Sequence, residues 1–355
     1  MDESSNPRVM STPRLPAIEA LRVIAAIGIV WFHSGAPGHE FAYTGLSFFL
    51  IVSLYFETRR ALPINSVLQN AVTRYIIPWF FWFLFYGIFR LAAHVPFFPP
   101  SYGSAPPLLK ILAGTSIHLW YIPYVVLITI TMSIAINLTS RKIVFACSTA
   151  AFFIVIPWIS FGWIPGAELY PPLPQYIQAL PAALLGIMFG SSQNGSLPRS
   201  FVIALLAALL IAGWTCPLAF GFQDALAAVL LLGALATRSN TQGSSSLRIL
   251  SRLTYGVYLV HPFFLSVSRK LLSSSDTLVA VYACTASFGA TWVAQRYATR
   301  FYDQMEPGRL ALRLVHRLRH EGVKNGAQPS DNLRELVDSV EASPTSSDEC
   351  GADRR

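Results

Sequence analysis

Apolar runs broken at short intervals by polar stretches dominate the chain. Ten runs stand out, at roughly 16–34, 42–58, 75–95, 116–136, 143–160, 176–191, 200–213, 217–236, 252–271 and 277–299. Each is near the ~20 residues a helix needs to cross ~30 Å of hydrocarbon. Only "WTCP" separates the seventh from the eighth, which read as one kinked element or a tight hairpin. The pattern predicts an all-α integral membrane protein with about ten transmembrane helices in one bundle and a disordered, polar C-terminal tail.

The polar stretches organise the rest. Residues 1–13 form a polar N-terminal arm without the features of a signal peptide, so the first run is expected to be a retained span. Residues 14–302 form the membrane domain, and 303–355 the tail. "GRLALRLVHRLRH", 308–320, is a basic amphipathic helix candidate, and 325–355 is rich in Ser, Asp, Glu and Gly. Alternate connections carry the arginines: Arg59, Arg60 and Arg74; Arg141 with Lys142; Arg199; and Arg238, Arg248 and Arg252. The opposite set holds only Lys110, Arg269 and Lys270. The positive-inside rule then puts both termini in the cytoplasm, and an even span count agrees. On the outer side, 94–110 and 160–174 are rich in Pro and aromatics; they read as ordered lids or as surface loops with aromatic anchors.

Composition supports a membrane setting. Hydrophobic residues make up 53% of the 355, and charged residues only 12%, too few to cover a soluble fold of this size. The mean hydropathy is +0.48. The net charge of +8 follows the loops and tail, which fits topology signals and anionic lipid better than a nucleic-acid groove. The four scattered cysteines form neither a disulfide framework nor a zinc spacing.

The candidate chemistry lies inside the runs. In "LRVIAAIGIVWFHSG", Arg22 and His33 are eleven positions apart, about 1100° of helix, so they share one face and are separated by about 16 Å. Glu19 falls on the same face and can pair with Arg22. Arg22 can alternatively snorkel to the surface, and His33 can be an interfacial residue beside Trp31. Ionisable groups at membrane depth more often mark a site or a pathway. His118, in "SIHLWYIPYVV", and His261, in "LTYGVYLVHPFF", are expected at a similar depth in the outer half. Arg74, in "TRYIIPWFFWF", reads either as a topology anchor or as a cationic mouth for a phosphorylated ligand. The sequence carries no phosphate-binding glycine loop, no Gly-x-Ser-x-Gly elbow and no metal-ligand spacing.

These segments resemble the membrane-bound acyltransferase-3 family over roughly residues 14–302. "IEALRVIAAIGIVWFH" is similar to its opening motif, with Glu19 where Asp is common and Ala20 where Gly is common. "TGLSFFLIVSLYF" is similar to its second-span run, with Val52-Ser53 in place of Ser-Gly. "TRYIIPWF" resembles its third-span element, with Ala71 where the first Arg stands. "HLWYIP" and "LTYGVYLVHPFF" resemble later signatures. The resemblance implies a membrane O-acyltransferase of the bacterial cytoplasmic membrane. It would move an acyl group, foremost acetyl, from acyl-CoA (acetyl-CoA) as co-substrate to a cell-surface or lipid-linked glycan, with no tightly bound cofactor and no metal. It implies catalytic roles for His33, as base or transient acyl carrier, and for Arg22 with Glu19. Arg74 and Arg22 would bind the coenzyme, and His118, Trp120, Tyr255, Tyr258 and His261 the substrate. The expected partners are the glycan or lipid-linked sugar acceptor, the acyl donor and membrane lipids. The rival reading is an exporter or flippase of such a sugar, using the same polar path without acyl transfer.

Overall fold

A computed structural model describes residues 15–160, 169–192, 198–215, 221–237, 244–272 and 275–297. The N-terminal arm, the amphipathic segment 308–320, the acidic tail and most of 160–174 lie outside them. The chain divides into two units, Met1–Trp292 and Val293–Arg355. The first unit is described here; among its described residues the regular secondary structure is all helical.

Its helices are α1 (Pro16–Ser34), α2 (His39–Ala42), α3 (Thr44–Arg60), α4 (Ile64–Asn70), α5 (Ile77–Ala92), α6 (Pro107–Ala113), α7 (Tyr121–Leu138), α8 (Arg141–Ser160), α9 (Leu173–Ser191), α10 (Arg199–Thr215), α11 (Gly221–Ala236), α12 (Ser245–Leu271) and α13 (Asp276–Tyr297), the last running on past Trp292. Seven of the helical segments are long and apolar enough to cross a membrane: α1, α2–α3, the continuous run Ile64–Ala92, α7, α8, α9 and α13. The protein is therefore a multi-spanning membrane protein. The shorter apolar helices α10 and α11 resolve the ambiguity around "WTCP", because they are two separate elements packed side by side.

Local chemistry explains the helix ends. α1 starts with Pro16, whose fixed φ suits the first turn, and stops at Gly35, which takes the left-handed conformation (φ 77°). Arg269 caps the same end, donating Nη2 to the carbonyl of His33 at 2.8 Å. At the opposite end of the bundle, Arg141 donates to the Arg59 carbonyl at 3.0 Å, so those two basic connections meet.

Three boundaries depart from the sequence pattern. The third run begins at Ile64, because a π-helical turn at Ala71–Ile76 joins α4 to α5 without a break. α12 begins at Ser245, since its polar first turns hide from a hydropathy reading. The fourth run begins later: residues 116–120 form a turn, and the helix starts only at Tyr121.

α3 sits at the centre, against α1, α7, α9 and α11, while α12 packs on α1. Phe48, Leu50, Ile51 and Leu54 are fully enclosed. Where α9 crosses α3, Gly186 lets the backbones approach: a Cβ there would lie 2.7 Å from the Ile51 carbonyl oxygen. Small residues serve this role generally in membranes, where dispersion replaces the hydrophobic effect between helices. The 94–110 segment is ordered, with Phe97 and Phe98 meeting Phe83 edge-on and Tyr102 buried. Arg90 holds it by donating Nε to the Pro96 carbonyl at 2.8 Å.

Candidate active site

Two cavities lie end to end along α1. The first, of about 240 Å³, is lined by Arg22, Arg74, Ser53, Tyr75, Thr254 and Tyr255 among others. The second, of about 180 Å³, is lined by His33, His118, Trp120, Tyr43, Gln175 and Gln178 among others. Ile29, Leu46, Tyr121 and Tyr258 line both and form their shared wall. The helical repeat that set Arg22 and His33 on one face thus gives each its own chamber, about 16 Å apart along the axis.

Arg74 reaches the first cavity from the π-helical turn. Such a turn adds a residue to the helical repeat and re-aims the side chains it carries, and it recurs at functional sites. Tyr255 ties it across the cavity, donating its hydroxyl to the Arg74 carbonyl at 3.3 Å. Ala71, where the resembling motif has Arg, is buried and lines a narrow cleft with Arg74 and Glu57. Glu19 is placed differently from the expectation. It lines neither cavity and forms no ion pair with Arg22, although it acts on the guanidinium through space from one turn away. The ion pair seen near that end is Arg60–Glu57 at 3.2 Å.

The three histidines converge. The rings of His33 and His261 stack at 5.3 Å, and His118 meets His261 edge-on at 5.2 Å. They come from α1, from the turn before α7, and from α12. His261 is fully enclosed, behind the cavity surface that His33 and His118 line.

The reason for the His261 geometry is the proline that follows it. Pro262 has no N–H, so the carbonyl four residues earlier, on Tyr258, loses its helical donor. His261 Nδ1 takes that place at 2.7 Å. A ring nitrogen facing a carbonyl must carry the proton, which leaves Nε2 with its lone pair. That Nε2 is buried with no partner among the described residues, and His118 Nδ1 meets Ser116 Oγ at 3.0 Å. The next carbonyl, on Leu259, accepts the Tyr86 hydroxyl at 2.7 Å, and Tyr258 donates its hydroxyl to the His118 carbonyl. The carbonyls of Tyr258, Leu259 and His118 beside the imidazoles are thus all hydrogen-bonded, while the Nε2 lone pair of His261 is left available.

Sequence reading missed several liners. Tyr75, Tyr121, Ser53 and Thr254 line the first cavity, and Tyr43, Gln175 and Gln178 the second. The glutamines of "LPQYIQALP" were visible as polar residues at the edge of an apolar run, a signal that goes with sites and pathways. So was Asp224, in "FQDALAAVLLL", which is 1% exposed.

A family model, the acyltransferase-3 acyltransferase domain, matches residues 15–296. The chain belongs to that family, which makes it a membrane acyltransferase. No curated protein and no solved structure matches it.

Proposed function

We propose that this chain moves an acyl group, foremost acetyl, from a coenzyme A thioester to a hydroxyl of a cell-surface or lipid-linked glycan in the bacterial cytoplasmic membrane. The observation that carries the reading is the pair of adjoining chambers, arginine-lined and histidine-lined, on one helix of an acyltransferase-3 chain.

With both termini cytoplasmic, the donor enters the Arg22 chamber from inside. Arg22 and Arg74 hold its phosphates, since guanidinium matches phosphate oxygens in a fork. The pantetheine arm extends along α1 past Ile29 and Leu46, and about 16 Å brings the thioester to His33. Imidazole removes the proton as the sugar oxygen attacks the thioester carbonyl. The tetrahedral oxyanion takes a hydrogen bond from a neighbouring Tyr hydroxyl or a second imidazole. The C–S bond then breaks, and the proton passes from imidazole to the departing thiolate. Every proton is returned and no atom changes oxidation state, so the step balances as written. Glu19 acts at a distance, by balancing the charge on Arg22.

The exporter reading uses the same two chambers without chemistry. The available Nε2 of His261 and the family membership favour the enzyme. Purified protein with acetyl-CoA decides between them. We expect thiol release and acylated sugar with the wild type, and a loss of about 10²-fold or more with His33→Ala, the scale of a general base. Full transfer by the His33→Ala protein would sink the mechanism, and no thiol release from folded wild type would favour the exporter.

A further inference from the structure

The chambers differ in fixed charge. Two arginines line the first, whereas no Asp, Glu, Lys or Arg lines the second among the described residues. In their place stand two carboxamides. Gln175 and Gln178 lie three positions apart in the first turns of α9 and so share a face. Gln175 Oε1 is buried and has no partner among the described residues, the state of a group left for a ligand or water. Trp120 brings an indole to the same space, within 6.0 Å of the Tyr176 ring, whose hydroxyl is also unpartnered. Behind the Tyr43 liner lies Asp224, hydrogen-bonded by Ser47 and keeping Oδ2 free.

Amides that donate and accept, beside an aromatic face and with no Asp, Glu, Lys or Arg among the described liners, suit a neutral polyol. A buried carboxylate or ammonium in that space would lose its hydration with nothing to replace it. A volume of about 180 Å³ is below the ~300–1,000 Å³ of pockets for drug-sized ligands, which limits the occupant to about one ring.

We propose that the His33 chamber is a subsite for a single uncharged sugar residue. Gln175 and Gln178 bond its hydroxyls, Trp120 covers one ring face, and the site discriminates against uronic acids and amino sugars. The inference rests on the acyl-transfer reading and narrows its acceptor.

The test uses full-length protein in lipid nanodiscs, free of sugar detergents, with saturating acetyl-CoA. The probes are methyl glucoside, galactoside, mannoside and rhamnoside and their disaccharides, set against methyl glucuronide, galacturonide and glucosaminide. Neutral glycosides should accelerate thiol release and be recovered as O-acetyl esters, with kcat/KM at least a hundredfold above the charged set. Gln178→Ala and the isosteric Gln178→Glu should each raise the acceptor KM at least tenfold, with kcat within threefold. Gln223→Ala, whose native amide bonds the Glu40 carbonyl instead, should keep the wild-type KM. Charged sugars used as well as neutral ones, no neutral sugar used while thiol release proceeds, or an unchanged KM in both Gln178 variants would overturn the subsite. Absence of thiol release from folded wild type with every acceptor, neutral or charged, would instead remove the acyl-transfer reading beneath it.

Discussion

Pro262 does more at the site than bend a helix. A proline in a helix interior costs about 3 kcal/mol relative to alanine. Here the freed Tyr258 carbonyl fixes the proton on His261 Nδ1 and turns Nε2 into the available lone pair. Pro262→Ala restores an N–H that competes for that carbonyl. The expected outcome is a protein of equal or higher Tm whose kcat falls about ten- to a hundredfold, part of the ~10²–10⁴ a positioned base contributes. Scanning fluorimetry beside acyl-transfer assays checks it; a drop in both quantities would mean the proline is merely structural. His261 and Pro262 were legible as a motif, and Arg22 and His33 as a pair on one face. What the residues did not show was the convergence of His33, His118 and His261, because ring contacts at 5.2 and 5.3 Å join three segments far apart in the chain.

Among elements, the crossing of α3 and α9 positions the site. α3 lends Leu46 to the wall between the chambers, and α9 lends Gln175 and Gln178. Gly186→Ala places a methyl group 2.7 Å from the Ile51 carbonyl oxygen and 2.9 Å from Leu54 Cβ, which the helices relieve only by separating. The expected loss is about 1–3 kcal/mol. Gly233→Ala, where nothing lies within 4 Å of the new carbon, should instead gain about 0.5–1 kcal/mol from helix propensity. Thermal unfolding of the two variants in nanodiscs measures the contrast, and equal shifts would show that the close crossing carries no load. The ten apolar runs each correspond to a helical element. The π-helical turn at Ala71–Ile76 had no counterpart in the hydrophobic pattern, since one extra residue per turn does not alter composition.

At the scale of the molecule, charge sets direction. Arg59 and Arg141 meet at one end of the bundle and His33 and Arg269 at the other, as alternating loops require. If the arginine-rich end is cytoplasmic, alkaline phosphatase inserted at Ser104 should be active, and the same enzyme fused after Arg355 inactive. The reverse pattern would invert the donor and acceptor sides. Hydrophobic run length, loop charge and helical phase are properties of short windows, so the sequence by itself determined the membrane class, the helical elements, the arginine-rich end and the shared face of Arg22 and His33. Tertiary structure alone decided which histidines meet, how Glu19 stands apart from Arg22, and how a neutral chamber is walled from a cationic one. Those depend on packing between helices, where the partners of any side chain come from distant parts of the chain.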